Sequence, residues 1–203
     1  RLGIEGLVVI TPQVRSAVID EEIQGAIPIV AIGSMYRMDQ LSVSVDGFKG
    51  AAKATQHLID LGHKGILHII GQRTSFDAQQ RSAGYSATML AAGLVPHTLD
   101  GDWAIETGYQ LGLATDFKAN GITAVFAAND HLAIGLLKAC RERGISVPEQ
   151  LSVVGYDDIP EAAYLSPPLT TLRQDFRSLG EHSVRLLDPA SAEVAQLRAA
   201  RVV

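Results

Sequence analysis

The chain has few of the residues that would place it in a disulfide-bonded or membrane class. Cys140 is its single cysteine, so no intramolecular disulfide can form and a reducing compartment is compatible. Because Cys140 lies in the apolar pattern of a helix, we predict a small core residue. No apolar run approaches the roughly 18 residues that span a bilayer, and the first residues lack a signal-peptide pattern. The sequence therefore predicts a soluble, cytoplasmic protein without a membrane partner.

The chain also carries little excess charge of either sign. The formal net charge is -5 over 203 residues, without long runs of either sign, so the chain has no electrostatic footprint for a polyanion. By itself it is expected to bind DNA poorly. Its hydrophobic content of 47% allows burial of about 70% of the surface that the unfolded chain exposes. One or two compact lobes are therefore expected.

Catalytic signatures are missing as well. The sequence contains no G-x-S-x-G elbow, no phosphate loop and no dinucleotide fingerprint. Asp157 and Asp158 are adjacent, so they cannot be assumed to face one substrate as an acid–base pair. The six histidines do not form a credible metal set, since His57 and His63 bracket a helix end and His68 lies within a strand. We therefore predict that the chain is not an enzyme and holds no cofactor and no metal.

Strand-like and helix-like segments alternate along almost the whole chain, which predicts an α/β fold with parallel sheets. The predicted strands cover residues 6–10, 27–32, 43–45, 66–70, 98–99, 124–127, 151–155 and 169–172. The predicted helices cover residues 12–24, 50–61, 79–92, 107–117, 131–143 and 176–187. Gly62, Gly93 and Gly144 follow three of these helices, at the position that favours a left-handed backbone. A polar, Ala-rich tail ends the chain.

The unusual polar and aromatic residues fall just after the predicted strands. Arg81, Trp103, Asn129 and Asp157 each follow a different strand. Because the carboxyl ends of parallel strands meet at one edge of a sheet, we expect these side chains to gather there. The pattern indicates a site for a small polar ligand.

The segment from Val147 to Asp175, VPEQLSVVGYDDIPEAAYLSPPLTTLRQD, is the most distinctive in the chain. It combines an apolar strand, an acidic pair and a rigid turn at Pro167 and Pro168. It closely resembles the C-terminal signature of the lactose-repressor and galactose-repressor family of bacterial transcription regulators. SVSVDGFKGAAKATQHLIDLGHKGILHIIG similarly resembles the family's crossover strand and the first helix and next strand of its C-terminal lobe. The resemblance implies a two-lobed, periplasmic-binding-protein-like fold.

The resemblance also implies functional residues. QQRSAGY places the family's ligand-gripping arginine at Arg81, AANDHLAIG its ligand-binding asparagine at Asn129, and GYDD its ligand-binding aspartate at Asp157. TTLRQD places a hinge-region glutamine at Gln174. GDWAIETGYQ is similar to a family segment whose tryptophan forms an apolar wall against a sugar, which implies that role for Trp103.

These residue types suit a polyol. A pyranose offers neighbouring hydroxyls and an apolar face of C–H groups, so its pocket needs bidentate polar groups beside an aromatic plate. Arg81 supplies a fork of donors, Asp157 accepts hydroxyl protons and Asn129 can do both. Trp103 would cover the ring.

Each of these residues also has a purely structural interpretation. Arg81 could be a solvated helix residue and Trp103 could be core packing. Asn129 would commonly cap a helix, and Asp157–Asp158 could be a cap before Ile159. Four matches in the family's order favour the binding interpretation. Asp130 and Asp158 are expected to be structural.

The chain departs from the family at its start and at one sugar contact. RLGIEGLVVI resembles the family's third strand, which implies that the DNA-binding headpiece and the first two strand–helix units are absent from this sequence. We therefore expect the sequence to be a fragment or to omit unresolved residues. Gly33 stands where the lactose repressor has a sugar-binding aspartate. We predict a partial N-terminal lobe of residues 1–42 and 176–187, and a C-terminal lobe of 43–172 and 190–203. The hinge crossovers would lie near 42–46, 172–176 and 187–190.

The implied function is that of a ligand-sensing domain of a transcriptional regulator, of the repressor type. A sugar or related small polar effector would bind in the cleft between the lobes and alter DNA binding. The partners implied are that effector, operator DNA bound through a headpiece, and a second copy of the chain in a homodimer. The alternative is a sugar-binding receptor of a transport system, which shares this fold and would be secreted behind a signal peptide.

Overall fold

A computed structural model describes residues 3–11, 27–33, 41–188 and 190. Its elements, in chain order, are β1 (Leu7–Thr11), β2 (Ile29–Gly33), β3 (Leu41–Val43), α1 (Gly47–Asp60), β4 (Ile66–Ile70), α2 (Phe76–Ala91), β5 (His97–Asp100), α3 (Ile105–Ala114), β6 (Ala124–Ala127), α4 (Asp130–Glu142), β7 (Ser152–Asp157), a 3-10 helix (Pro160–Tyr164), β8 (Thr170–Arg173) and α5 (Phe176–Leu187). The alternation of strands and helices confirms the predicted α/β fold. The predicted helix over 12–24 and almost all of the tail lie outside the described residues.

The chain divides into two compact units. The first draws on Arg1–Val45 and Asp175–Val203, and the second is Asp46–Gln174. In the first unit β1, β2 and β3 form a parallel sheet in that order, and α5 packs against it. Val30 and Leu186 are buried at this contact. The predicted assignment of residues 190–203 to the other lobe lies outside the described residues, except for Ala190.

The second unit is a parallel sheet in the order β5-β4-β6-β7-β8, with helices on both faces. On one face α1 and α2 pack together over a core that includes Tyr85, Phe126 and Tyr156. On the other, α3 and α4 pack together over a core that includes Val125 and Leu136. Because all strands run the same way, their carboxyl ends share one edge, where ligands bind in sheets of this kind.

Several helices begin at an acidic or amide side chain that accepts a backbone N–H. Asp46 accepts from the N–H of Lys49 at 2.9 Å, which starts α1 three residues before the predicted position. Asp175 accepts from the N–H of Ser178 at 2.9 Å and starts α5. These bonds satisfy donors that a helix leaves unpaired at its first turn.

Three helices, α1, α2 and α4, end within one residue of the predicted position, each two residues before a glycine in the left-handed region. The φ angles of Gly62, Gly93 and Gly144 are 91°, 71° and 70°. A side chain at such an angle would crowd the backbone, so glycine is favoured there. The predicted bounds of β4, β6 and α5 are confirmed as well.

Other predicted elements are displaced, among them a strand and a helix. The third strand was expected over 43–45 and is Leu41–Val43, paired with β2. The helix expected over 107–117 is α3, Ile105–Ala114, because Thr115 adopts an extended backbone with ψ of 124°. Phe117 therefore lies outside the helix, yet it is buried in the core. Its apolar character is explained by tertiary packing, which periodicity along the chain does not resolve.

Candidate functional site

The carboxyl edge of the second unit's sheet gathers the five residues that the sequence singles out. Asp157 ends β7 and Gln174 directly follows β8, whereas Trp103 and Asn129 lie in the turns after β5 and β6. Arg81 projects from the second turn of α2. Contacts link all five side chains or their backbones into one connected set. Their role in binding a ligand stays a prediction.

Arg81 and Asp157 form the polar centre of this set. Nη2 of Arg81 lies 3.5 Å from Oδ1 of Asp157, and Nε2 of Gln174 donates to the same oxygen at 2.5 Å. Nη1 of Arg81 donates to the carbonyl of Ala128 at 2.5 Å. The side chain of Arg81 is 6% exposed and that of Asp157 is 23% exposed. The carboxylate is therefore the member of the pair that a solute reaches more readily.

Trp103 forms one wall of the set, and Asn129 holds it. Nδ2 of Asn129 donates to the backbone carbonyl of Trp103 at 3.2 Å, while Oδ1 accepts from the N–H of Leu132 at 2.9 Å. Asn129 is thus the N-cap of α4 and a support of the tryptophan at once. The half-buried indole packs on the edge of the core, and a Cβ at Gly71 would overlap its ring. The capping and site interpretations of Asn129 are compatible.

Tyr156 also belongs to the site, because its ring contacts the Arg81 guanidinium. The sequence did not predict it as a site residue. The guanidinium carbon of Arg81 lies 3.8 Å from the centroid of the Tyr156 ring and 5.5 Å from that of Trp103. Both rings attract a cation through their π faces. Tyr156 is fully buried. Its hydroxyl has no hydrogen-bond partner among the described residues and lies where a Cβ at Gly50 would overlap it. Its place next to Asp157 in GYDD was the available signal.

Burial has the largest effect on the pKa values of the Asp157 and Tyr156 side chains. Burial raises the pKa of the Asp157 carboxyl, while the nearby Arg81 guanidinium and the Gln174 hydrogen bond oppose that rise. The charges of Asp130 and Asp77 add to it. Burial also raises the pKa of Tyr156. Asp157 is therefore a carboxylate whose charge depends on the arginine and amide that contact it.

The backbone after β7 is strained. Asp157 has φ of 116° and Asp158 has φ of 57°, both in the region that side chains rarely occupy. Such strain persists where surrounding contacts hold it, often at functional sites. The Asp158 carboxylate pairs with Arg173, and its N–H donates to Oγ1 of Thr171 at 3.3 Å. The 3-10 helix that follows has no side-chain cap, so the alternative of an acidic cap before it is wrong.

Asp130 ties α4 to this turn. Its fully buried carboxylate accepts from the Thr171 hydroxyl at 2.6 Å and from the N–H of Ile159 at 2.9 Å. A Cβ at Gly155 would overlap it. Asp130 therefore holds the segment that follows Asp157 through its bonds to Ile159 and Thr171.

Two histidines have structural contacts. His63 bonds Thr123 Oγ1 at 2.8 Å and Ser152 Oγ at 3.0 Å, and His68 is fully buried in β4. Within the described ranges no group of histidine, cysteine, aspartate or glutamate side chains is placed to hold a metal ion. No described helix is long and apolar enough to span a membrane.

Comparison with known proteins places this geometry in context. Residues 55–201 match the family model described as a periplasmic binding protein-like domain. The HTH-type transcriptional repressor PurR of Pasteurella multocida is 38% identical over 158 residues, which are 75% of this chain and 46% of that protein. The chain thus spans about half the length of this relative.

Solved structures of regulators share the fold. A regulatory protein of the LacI family from Chloroflexus aggregans aligns with a TM-score of 0.83 and 30% identity, covering 91% of this chain and 68% of that one. The transcriptional regulator CelR, solved as a complex with cellobiose, aligns with a TM-score of 0.78 and 29% identity. That alignment covers 91% of this chain and 58% of the CelR chain.

Proposed function

We propose that this chain, which belongs to the periplasmic-binding-protein-like family as an effector-binding domain of the LacI type, senses a sugar or closely related polyol. In the protein that contains it, effector binding would alter the affinity of a DNA-binding headpiece for operator DNA. A homodimer working in the cytoplasm completes the proposal. The matched relatives named above are transcriptional regulators, which favours this function over a transport receptor or an enzyme.

The observation that carries the proposal is the contact between the Arg81–Asp157 pair and an aromatic wall. Asp157 accepts from Gln174 and faces Arg81 through one oxygen, Oδ1. A carboxylate with two oxygens can also accept protons from neighbouring hydroxyls. The ring centroid of Trp103 lies 5.5 Å from the guanidinium carbon of Arg81, and this ring offers an apolar face to C–H groups. A polyol ring presents both kinds of surface.

The proposal that the ligand is a sugar is supported by the similarity to CelR, whose complex contains cellobiose. The polar residues are held before a ligand arrives, since Arg81 is bonded to Ala128 and Asn129 to Trp103. Side chains fixed in this way lose little conformational entropy on binding. The binding energy can then bias the protein toward the arrangement for which the effector has the higher affinity.

The experiment is a fluorescence and calorimetric titration of the purified protein with mono- and disaccharides. Trp103 is the only tryptophan in the sequence, so a sugar at the proposed wall changes the whole tryptophan signal. We expect a saccharide that shifts this emission and raises the melting temperature. Ligand at 100 times its Kd stabilises by about 2.7 kcal/mol.

Two carboxylate-to-amide variants test the location. Asp157→Asn keeps the side-chain shape and should weaken binding by about tenfold or more, since a hydrogen bond to a charged group contributes about 1.5–3 kcal/mol. Glu149→Gln makes the same chemical change at an exposed position before β7, at the opposite end of the strand, and should leave the affinity unchanged. Absence of binding across the panel, or equal loss in both variants, would reject the proposed function.

A further inference from the structure

The arginines at the carboxyl edge of the second unit are each matched to an aspartate. Arg81 faces Asp157 at 3.5 Å. Arg73, after β4, pairs with Asp100 at the end of β5, with Nη2 and Oδ1 2.5 Å apart. The third, Arg173 at the end of β8, pairs with Asp158. Each of these three arginines therefore lies against a carboxylate; the Arg81 pair is largely buried, whereas Arg73 and Arg173 are exposed.

Arg81 has little capacity left for an anion. Its side chain is 6% exposed, its Nη1 is bonded to the carbonyl of Ala128, and its guanidinium lies over the ring of Tyr156. Its Nε lacks a hydrogen-bond partner in the described part of the chain, but this atom is buried and a solute does not reach it. An incoming phosphate or carboxylate would compete with Asp157 for the same charge.

Two further carboxylates, Asp77 and Asp130, do not belong to these three pairs. Asp77 lies four residues before Arg81 on α2, so the two share one helix face. It occupies the first turn of α2, where an anionic ligand would otherwise be attracted by the helix dipole. Asp130 is a second carboxylate, fully buried and bonded only to neutral donors. Both act on the charge of Asp157, whose pKa they raise.

We propose that this edge selects an uncharged polyol and rejects phosphorylated or carboxylated derivatives of the same sugar. This inference rests on the proposed function and narrows its ligand class. Asp77, in the first turn of α2, is the residue that sets this selectivity. Like charges brought together at a binding surface oppose association, and the effect is strongest at low salt.

The test titrates matched ligand pairs into the purified protein by calorimetry. The probes are glucose and glucose 6-phosphate, galactose and galactose 6-phosphate, ribose and ribose 5-phosphate, and cellobiose and cellobionate. For any pair that binds, the neutral member should bind at least about tenfold more tightly at low ionic strength. The ratio should shrink as salt rises, because the screening length is about 10 Å at 0.1 M.

Asp77→Asn identifies the source of the selectivity. This variant should raise the affinity of the anionic member by about threefold or more relative to that of the neutral member. Glu149→Gln changes the net charge equally at an exposed position before β7 and should leave the ratio as it is. An unchanged ratio in Asp77→Asn would overturn the role of Asp77.

Charge selectivity and sugar sensing can fail independently of each other. Equal or tighter binding of the anionic member would overturn the charge selectivity and leave a sugar-sensing domain standing. Failure of every pair to bind would overturn the proposed function, and the selectivity with it. Tighter binding of the neutral member with a salt-dependent ratio is the supporting result.

Discussion

Arg81 is a cation that the fold stabilises without exposing it to water. Burial of an unpaired charge is costly, and three kinds of partner offset that cost here. Asp157 supplies charge, Ala128 supplies a carbonyl, and Tyr156 supplies a π face 3.8 Å from the guanidinium carbon. Under the proposed function the tyrosine would be a positioning residue, since it would act on a ligand through the arginine.

Replacing Tyr156 separates the ring from its hydroxyl. Tyr156→Phe keeps the π face and removes a buried hydroxyl that lacks a partner, so we expect unchanged stability or a gain of about 1 kcal/mol. Tyr156→Leu removes the π face and should destabilise by about 2 kcal/mol or more. Urea unfolding followed by Trp103 emission measures both, and sugar affinity should fall only in the leucine variant. A phenylalanine variant as impaired as the leucine one would contradict this account.

At the scale of elements, the start of α4 joins a helix cap to the wall of the site. Asn129 accepts the N–H of Leu132 through Oδ1 and donates to the carbonyl of Trp103 through Nδ2. The orientation of the amide therefore couples the first turn of α4 to the turn after β5. Loss of Oδ1 should therefore affect the helix, and loss of Nδ2 should affect the tryptophan.

Two substitutions at Asn129 distinguish these contributions. Asn129→Ser keeps an oxygen that can accept the N–H of Leu132, so stability should stay near wild type, but loss of the amide donor should shift Trp103 emission. Asn129→Ala loses both and should cost about 0.5–2 kcal/mol as well. Denaturant unfolding and emission spectra measure the two effects.

Ser75 provides the matched control at a second helix start. It precedes α2 without a side-chain capping bond, so Ser75→Ala should cost less than Asn129→Ala and should leave Trp103 emission unchanged. Emission that is the same in wild type and in both Asn129 variants would show that the amide does not hold the tryptophan.

At the scale of the whole molecule, one buried histidine should make stability depend on pH. His68 is fully buried. Its ring stacks on that of Phe126 with the ring centroids 4.6 Å apart, and its Nδ1 donates to the Phe126 carbonyl at 2.9 Å. Burial lowers its pKa from 6.5 to about 4. The native state therefore favours the neutral ring.

The direction of the effect follows from proton binding. Between pH 6.5 and about 4 the unfolded chain binds a proton at His68 that the native chain does not, so stability falls as pH falls through this window. The loss at the lower end should be on the order of 3 kcal/mol. His68→Leu should flatten the profile measured by urea unfolding, and His57→Gln, at an exposed position on α1, should not. Parallel profiles for wild type and His68→Leu would contradict the prediction.

The sequence by itself determined the fold class, most element positions and the edge of the sheet where polar residues gather. Local signals suffice for these features, since apolar periodicity marks elements and glycines such as Gly62 end helices. The positions of Arg81, Asn129 and Asp157 after strands followed from the same local order. The family resemblance implied the roles of Trp103 and Gln174.

Only the tertiary structure decided what these side chains touch. That Tyr156 lies beneath Arg81, that Asp130 reaches Thr171, and that Phe117 is buried outside a helix depends on residues far apart in the chain. The matching of Arg73 with Asp100 likewise requires two neighbouring strand ends. Packing distances and charge neutralisation are properties of the folded sheet, and residue spacing along one strand or helix does not contain them.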